Sequence, residues 1–260
     1  MLQTHRAMIK EVVSATYTPL ECQLESMSSY DSRSMLLQWN LDNDALQVHR
    51  FRFGGFGLSN SSFASDYDLL LKDFFRTKEN LHKLGIDAES IAVPLTVTYD
   101  TLQTSVMGME FFDRLGDYVA PNGSIRGCFE EVIEGVPVND LLRDVLINTD
   151  SDNFSLFSED DKQQYIYQLF AMLVLGGAMC QSDVKTERYL NMTKGLYKDT
   201  LTVYKDNEGK VVVSGKVFRV RAIGGARIFS SDSILNGMIV LIDPLKKYIT
   251  VIKKDVKGFW

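Results

Sequence analysis

Residues 157–199 constrain the fold of this chain most, because a helix-capping pattern is followed there by a long apolar segment. Ser158 precedes Glu159, Asp160 and Asp161. Its hydroxyl can accept a hydrogen bond from the first turn of a helix, whose positive end also favours the three carboxylates. A helix is therefore predicted to begin near Glu159. Apolar residues then recur at spacings of three and four, as on the buried face of a core helix: Ile166, Leu169, Phe170, Leu173 and Val174.

An uncharged run of residues, Leu169 to Cys180, covers the C-terminal part of this helix. It holds twelve residues, whereas a helix needs about 20 apolar residues to cross a bilayer, so we expect no membrane span. Gly176 and Gly177 either end the helix or let a neighbouring backbone approach closely, because glycine is unfavourable inside a helix. A glycine pair without a preceding strand is a poor phosphate cradle.

Charge is unevenly distributed along the chain. Residues 185–260 hold fifteen Lys and Arg against seven Asp and Glu, so they carry +8 and leave −14 for residues 1–184. Acidic residues are densest from Glu130 to Asp161, where Arg143 is the only base. The net charge of −6 disfavours a nucleic-acid-binding protein. The two parts either dock on each other or recruit separate partners.

Compartment and enzymatic chemistry are constrained by cysteine and histidine. Three cysteines, far apart and odd in number, favour free thiols, and the N-terminus lacks the apolar region of a signal peptide, so we expect a cytoplasmic protein. His5, His49 and His82 are scattered and no metal-binding spacing occurs. A Cys/His nucleophile would have to be assembled from distant residues, and Cys180 would be inert if it were buried. We expect no enzymatic activity, catalytic residue, cofactor or metal.

Two glycine-rich stretches leave one alternative open. Residues 54–57 follow a predicted strand but lack the rest of a dinucleotide or phosphate-binding motif, so a tight turn is predicted. Gly224 and Gly225 lie between Arg221 and Arg227, an arrangement that forms either a phosphate nest or a solvated loop. The nest motivates a second hypothesis, a small-ligand-binding protein or enzyme with a pocket over the C-terminal sheet.

The first half of the chain mixes helices and strands. Leu46 and Val48 alternate with Phe51 and Phe53 in a predicted strand, so either a bulge intervenes or both faces are covered. The other predicted elements are a short helix capped by Asp31, a helix with Asp66 as its cap and Gly85 at its end, β segments over 91–99 and 102–107 around Asp100, and short helical turns near Phe111 and Leu141 joined by a loop with Pro121, Gly123 and Gly127.

The second half is predicted to contain most of the sheet. A second helix spans Tyr189 to Tyr197, and strands follow over 200–204, 211–213, 217–223, 238–242 and 248–252. The fold class is therefore α+β, with helices packed on a mainly antiparallel C-terminal sheet. We predict a single domain over residues 1–260. An alternative prediction is that residues 1–30 form a loosely attached N-terminal segment.

Several motifs in order resemble the cilia- and flagella-associated protein 300 family. They run through the best-matched block, from about Phe111 to Val220, and include Phe111 to Leu115, Leu142 to Leu146, Phe157-Ser158, Leu169-Phe170, Leu175 to Gln181, Tyr189-Leu190, Thr193-Lys194 and Tyr197 to Asp199, followed by Val217 to Val220 and Asp243-Pro244. Residues 1–30 and 222–237 match poorly.

The resemblance implies a non-enzymatic factor of the cytoplasm and the motile cilium or flagellum, acting at the axoneme. Such a factor assembles or delivers axonemal dynein arms by protein–protein binding. Its expected partners are axonemal dynein preassembly factors, dynein chains or the intraflagellar transport machinery, with no nucleic acid and no membrane. The candidate partner-binding residues lie in or just after the best-matched block: Lys194, Tyr197, Lys198, Asp199, Arg219 and Arg221.

Overall fold

The computed structural model describes residues 15–42, 45–87 and 95–257. His5 and the first part of the strand predicted over 91–99 lie outside the described residues. The strands are β1 (Thr16–Leu20), β2 (Leu46–Gly54), β3 (Val97–Leu102), β4 (Gly127–Ile133), β5 (Val136–Asp140), β6 (Val203–Lys205), β7 (Val211–Val213), β8 (Lys216–Ile223), β9 (Gly237–Asp243) and β10 (Tyr248–Lys254).

The helices occur between these strands. They are α1 (Glu25–Ser28), α2 (Tyr30–Gln38), α3 (Ala64–Arg76), α4 (Lys78–Lys83), α5 (Leu141–Ile147), α6 (Glu159–Lys162), α7 (Tyr165–Leu175) and α8 (Thr186–Thr200). Two 3₁₀ helices span Met109–Tyr118 and Asp152–Leu156. No helix in the described ranges is both long enough and apolar enough to span a membrane.

One antiparallel sheet organises the molecule, in the order β1-β2-β10-β9-β8-β3. Residues of α7 and α8 share a core with Val217 and Ile239 on one face of the sheet. Residues of α3 and α4 share a second core with Val240 and Val251 on the other face. Successive side chains of a strand point to opposite faces, so the apolar runs of β9 and β10 fill both cores.

This arrangement confirms the α+β class and the packing of the central helices on the C-terminal strands. The sheet also contains β1, β2 and β3 from the first part of the chain, whereas β6 and β7 form a separate two-stranded sheet. In β2, Leu46 belongs to the α7 side, and Phe51 and Phe53 to the α3 side. Its register with both neighbours is continuous, so both faces are covered and no bulge intervenes.

The predicted helix start is confirmed, but one continuous core helix is wrong. Ser158 Oγ accepts from the Asp161 N–H at 3.2 Å, and Asp161 Oδ2 accepts from the Ser158 N–H at 3.0 Å. That helix, α6, ends at Lys162. The Gln103 N–H donates to the Gln163 carbonyl (2.9 Å), and the Gln103 carbonyl accepts from the Tyr165 N–H (2.8 Å); Gln164, between α6 and α7, has an extended backbone that interrupts the helix.

Both readings of the glycine pair are confirmed. Gly176 ends α7 with φ +58°, a conformation that disfavours other residues. The Gly177 N–H donates to the Trp39 carbonyl at 2.9 Å, and a Cβ on Gly177 would collide with the Asn40 backbone. The pair therefore ends the helix and also admits the turn that follows α2.

The remaining differences concern caps and short elements. Ser29, not Asp31, caps α2. Asp66 lies inside α3, where its side chain accepts from the Phe63 N–H, and the predicted single helix is divided into α3 and α4. Of the β segments predicted over 91–99 and 102–107, the structure has one strand, β3, which runs through Asp100 and ends at Leu102, so the second predicted strand is wrong. The predicted loop up to Gly127 is followed by a hairpin of β4 and β5 that the sequence reasoning missed.

Candidate protein-binding site

The predicted partner-binding residues of α8 divide between surface and core. Lys194 and Lys198 are exposed, one turn apart. Tyr197 is buried, its hydroxyl donates to the Val106 carbonyl at 2.9 Å, and burial raises its pKa to about 12. Asp199 Oδ2 accepts from the Ser26 N–H (2.8 Å) and hydroxyl (2.7 Å). Tyr197 and Asp199 therefore attach α8 to its neighbours, whereas the two lysines lie at the surface.

Within the described part of the chain, no hydrogen bond or ion pair engages Lys194 or Lys198. Lys194 lines a hollow of about 710 Å³ with Lys185, Arg188, Glu110 and Asp113. Acidic residues from 130 to 161 pair with Arg114, Arg143 and Lys162. Among described residues, none of these ion pairs reaches the basic residues from 185 to 254. Two ion pairs do join the basic part of the chain to the acidic part, Arg188 with Asp183 and Arg221 with Asp100, but neither involves residues 130–161, Lys194 or Lys198.

Arg219 and Arg221 lie elsewhere, in what we call the helix–sheet groove. This groove of about 280 Å³ separates α7 from β8 and β9. Its lining mixes apolar and aromatic side chains with charged ones, of which Lys254 is buried: Tyr167, Met172, Leu175, Leu235, Ile239, Phe154, Glu159, Lys162, Arg219, Arg221 and Lys254. The six predicted residues therefore do not form one site, because Lys194 and these two arginines line separate hollows.

Positive charge exceeds negative charge in the helix–sheet groove. Arg221 pairs with Asp100 (2.6 Å), and Lys162 pairs with Glu159 (2.8 Å) and lies over the Phe154 ring. The one hydrogen-bond acceptor of Arg219 among the described residues is Gln168 Oε1, at 2.9 Å. Burial, followed by the nearby Arg221, lowers the pKa of Arg219. An incoming carboxylate would give this guanidinium the bidentate acceptor that it lacks here.

Lys254 is a cation that the sequence reasoning missed. It is 1% exposed, and its Nζ donates to the Met172 carbonyl at 2.9 Å. That carbonyl lies in the last turn of α7, where carbonyl groups have no N–H partner within the helix. Burial lowers the pKa of Lys254 to about 7. Its position in the strand alternation, after Thr250 and Ile252, was the available signal that it faces α7.

The groove and its surroundings show little that suits catalysis. The arginines around Gly224 do not converge, since Arg221 faces Asp100 and Arg227 donates to the Phe229 and Ser230 carbonyls. Cys22 and His49 line one hollow, but burial raises the pKa of the thiol, and His49 Nε2 lies 3.3 Å from Gln47 Oε1. No group of His, Cys, Asp and Glu among the described residues could hold a metal ion.

The fold defines an α+β protein, and its surface carries charged, partly apolar grooves. A sequence model described as cilia- and flagella-associated protein 300 matches residues 14–254. The chain therefore belongs to the cilia- and flagella-associated protein 300 family and is associated with cilia and flagella.

Two relatives carry that same name. The protein of Chlamydomonas reinhardtii is 31% identical over 207 residues, covering 74% of this chain and 80% of the relative. The protein of Paramecium tetraurelia is 29% identical over 195 residues, covering 73% of this chain and 76% of the relative. No solved structure matches the chain.

Proposed function

We propose that this protein is a non-enzymatic factor for the assembly or intraflagellar delivery of axonemal dynein arms, acting by protein–protein binding. It works in the cytoplasm and in the motile cilium or flagellum. Its partners are axonemal dynein preassembly factors, dynein chains or the intraflagellar transport machinery. Membership of a ciliary family supports the setting, and the helix–sheet groove supports the mode of action.

The observation that carries the proposal is Arg219 without a carboxylate partner in a groove lined by apolar side chains. Protein interfaces combine an apolar centre with a polar rim, and arginine is enriched in them. The groove combines apolar and charged side chains, and its surplus of cations suits an acidic segment of the partner. Lys194 and Lys198 form a second exposed basic pair, although the hollow beside Lys194 holds as many acidic as basic residues.

Affinity capture from ciliating cells tests the proposal. Tagged wild-type protein should retain dynein preassembly factors, dynein chains or transport components. The double variant Arg219→Gln/Arg221→Gln should retain less of them. Lys78 and Lys83, exposed on α4 against the opposite face of the sheet, provide a matched control: Lys78→Gln/Lys83→Gln removes the same charge and should bind as wild type.

The outcome that contradicts the binding mode is equal retention by wild type and by both double variants. Absence of all three partner classes from the wild-type capture would contradict the proposed partners. Circular dichroism melts of each variant ensure that a loss of binding is not a loss of folding.

A further inference from the structure

The missed hairpin of β4 and β5 has one open edge. The two strands form a sheet of their own, in which β4 has β5 as its one neighbour among the described residues. Strand β5 lies on the inner side of this hairpin, and its Val136 and Val138 side chains are buried. Strand β4 lies outside it and has no buried residue along its length. An open strand edge presents unpaired N–H and C=O groups to another chain.

The geometry of the turn shows which main-chain groups are free. Glu134 and Gly135 both have positive φ, +48° and +81°, as in the two-residue type I′ turn of a hairpin. Ile133 and Val136, which flank it, are paired, and so are Val132 and Pro137; the register with β5 shifts between Gly127 and Glu131, so the regular ladder covers residues 131–133 of β4. Hydrogen-bonded and non-hydrogen-bonded pairs alternate in an antiparallel ladder. Proline has no N–H, so the Val132–Pro137 pair is of the second kind. The N–H and C=O of Val132 therefore point to the open side.

The side chains of β4 favour a particular kind of partner. Phe129 is 95% exposed and Val132 70% exposed, which is unusual for large apolar residues on one short strand. Glu130, Glu131 and Glu134 are also exposed, and residues 127–142 contain no Lys or Arg. The negative field is felt locally: after burial, Asp144, Asp140 and Glu131 raise the pKa of Cys128.

We infer that β4 is a docking edge for an extended partner segment that alternates Lys or Arg with apolar residues. The segment adds as a strand beside residues 131–133 of β4, with main-chain hydrogen bonds to Val132, and its apolar and basic side chains reach the exposed Phe129, Val132 and glutamates of β4. This edge deepens the proposed protein-binding function by naming a second, basic class of partner. A second copy of the chain fits less well, because two β4 edges would bring their glutamates together.

A pair of variants at Val132 isolates the main-chain contact. Val132→Pro removes the outward N–H and no hydrogen bond of the hairpin, since proline is tolerated where an edge N–H faces solvent. Val132→Ala keeps that N–H and removes most of the side chain. The probe is an eight-residue peptide of alternating Lys and Val with blocked ends, and the control peptide replaces each Lys with Glu. The full-length chain is titrated with each peptide, with binding followed by fluorescence anisotropy.

The expected result is binding of the Lys-Val peptide that weakens with salt, stays within about threefold in Val132→Ala and falls at least about tenfold in Val132→Pro. Hydrogen exchange of the Val132 amide should slow in the complex. The inference is overturned by equal affinity for the Glu-containing peptide, by undiminished binding to Val132→Pro, or by no binding of the Lys-Val peptide at about 1 mM.

Thermal melts and sedimentation complete the test. An unchanged melting temperature of Val132→Pro shows that the hairpin persists. If that variant unfolds, peptide binding to Phe129→Ala and hydrogen exchange of the Val132 amide in the wild type decide instead; a Val132 exchange rate that the peptide leaves unchanged overturns the inference. A concentration-dependent dimer that Val132→Pro abolishes would identify a second copy as the occupant and would overturn the basic partner. Dynein-partner capture through the helix–sheet groove is a separate measurement, so either result can fail alone.

Discussion

The helix–sheet groove and the β4 edge differ in charge, support and mode of contact. The groove lies between α7 and the main sheet and carries excess positive charge. The β4 edge lies on a two-stranded sheet that packs through a small cluster of Val136, Leu235 and Val256, and it carries negative charge. Arg219 and Arg221 of the groove come from the basic part of the chain and the glutamates of β4 from the acidic part, so the uneven charge of the sequence appears on two surfaces of opposite sign.

The largest contrast is expected from truncating an aromatic residue in each region. Phe170→Ala should lower the free energy of unfolding by about 3 to 5 kcal/mol, because Phe170 is fully buried and its ring lies 4.6 Å from that of Phe112. Phe129→Ala should change it by less than about 0.5 kcal/mol, since Phe129 is exposed. Denaturant melts measure both. A shift under about 1 kcal/mol for Phe170→Ala would show that this face of α7 is not core.

Two glycines with positive φ give the next contrast. In Gly176→Ala, the new Cβ meets the Trp39 carbonyl and Cys180 in an unfavourable conformation, so we expect a loss of about 3 kcal/mol. In Gly135→Ala, the turn has open space, so the conformational cost alone, about 1 kcal/mol, remains. Equal losses in chemical denaturation would show that the end of α7 is no more closely packed than the hairpin turn.

Lys254 makes the stability of the groove region depend on pH. Its folded pKa is about 7, below that of an unfolded lysine. Between about pH 7 and 10 the unfolded chain therefore binds more protons, so stability rises with pH by up to about 1.4 kcal/mol per unit from this group. Below pH 7 its penalty is fully present and constant.

The variant Lys254→Met should remove that slope. The difference in unfolding free energy between wild type and variant, measured from pH 6 to 10, should move in favour of wild type as pH rises. A difference that does not change with pH would mean that Lys254 is charged in the folded protein throughout the range. Comparing the two proteins cancels the titration of other groups.

The smallest effect on stability is expected on the exposed side of α8. Lys194→Glu/Lys198→Glu should slow association with an acidic partner and weaken its salt dependence, with little change in melting temperature. Lys78→Glu/Lys83→Glu is the control of equal charge on α4. Binding and melts are compared at low and high salt. Binding unchanged at every salt concentration would rule out a contact through these lysines.

Much of the fold follows from residue spacing. The start at Ser158, the end at Gly176, the alternation in β2 and the C-terminal strands all depend on short-range patterns. The break between α6 and α7 does not, because it depends on Gln103, about 60 residues away in the sequence, whose backbone pairs with Gln163 and Tyr165. Strand β4 was missed because its exposed side chains lack the alternation that marks a half-buried strand.

The candidate site was less predictable than the fold. Arg219 and Arg221 were identified, but the groove they share with Lys162 and Lys254 depends on how α7 packs against β8 and β9. Tyr197 was expected at a partner surface, whereas the structure places it in the core. A tyrosine side chain is mainly apolar and can be buried when its hydroxyl finds a hydrogen-bond partner. Sequence shows charge and polarity, and only packing shows which charges remain without a partner.

Loss of the gene in a ciliated cell tests the proposed role most directly. Axonemes are isolated from null cells, and dynein arms are counted in electron micrographs alongside wild type and null cells that express the wild-type chain. We predict axonemes short of dynein arms and impaired beating in the null, with both restored by the wild-type chain. Normal arms and normal beating in the null cells would contradict a role in dynein-arm assembly or delivery, whatever the protein binds in solution.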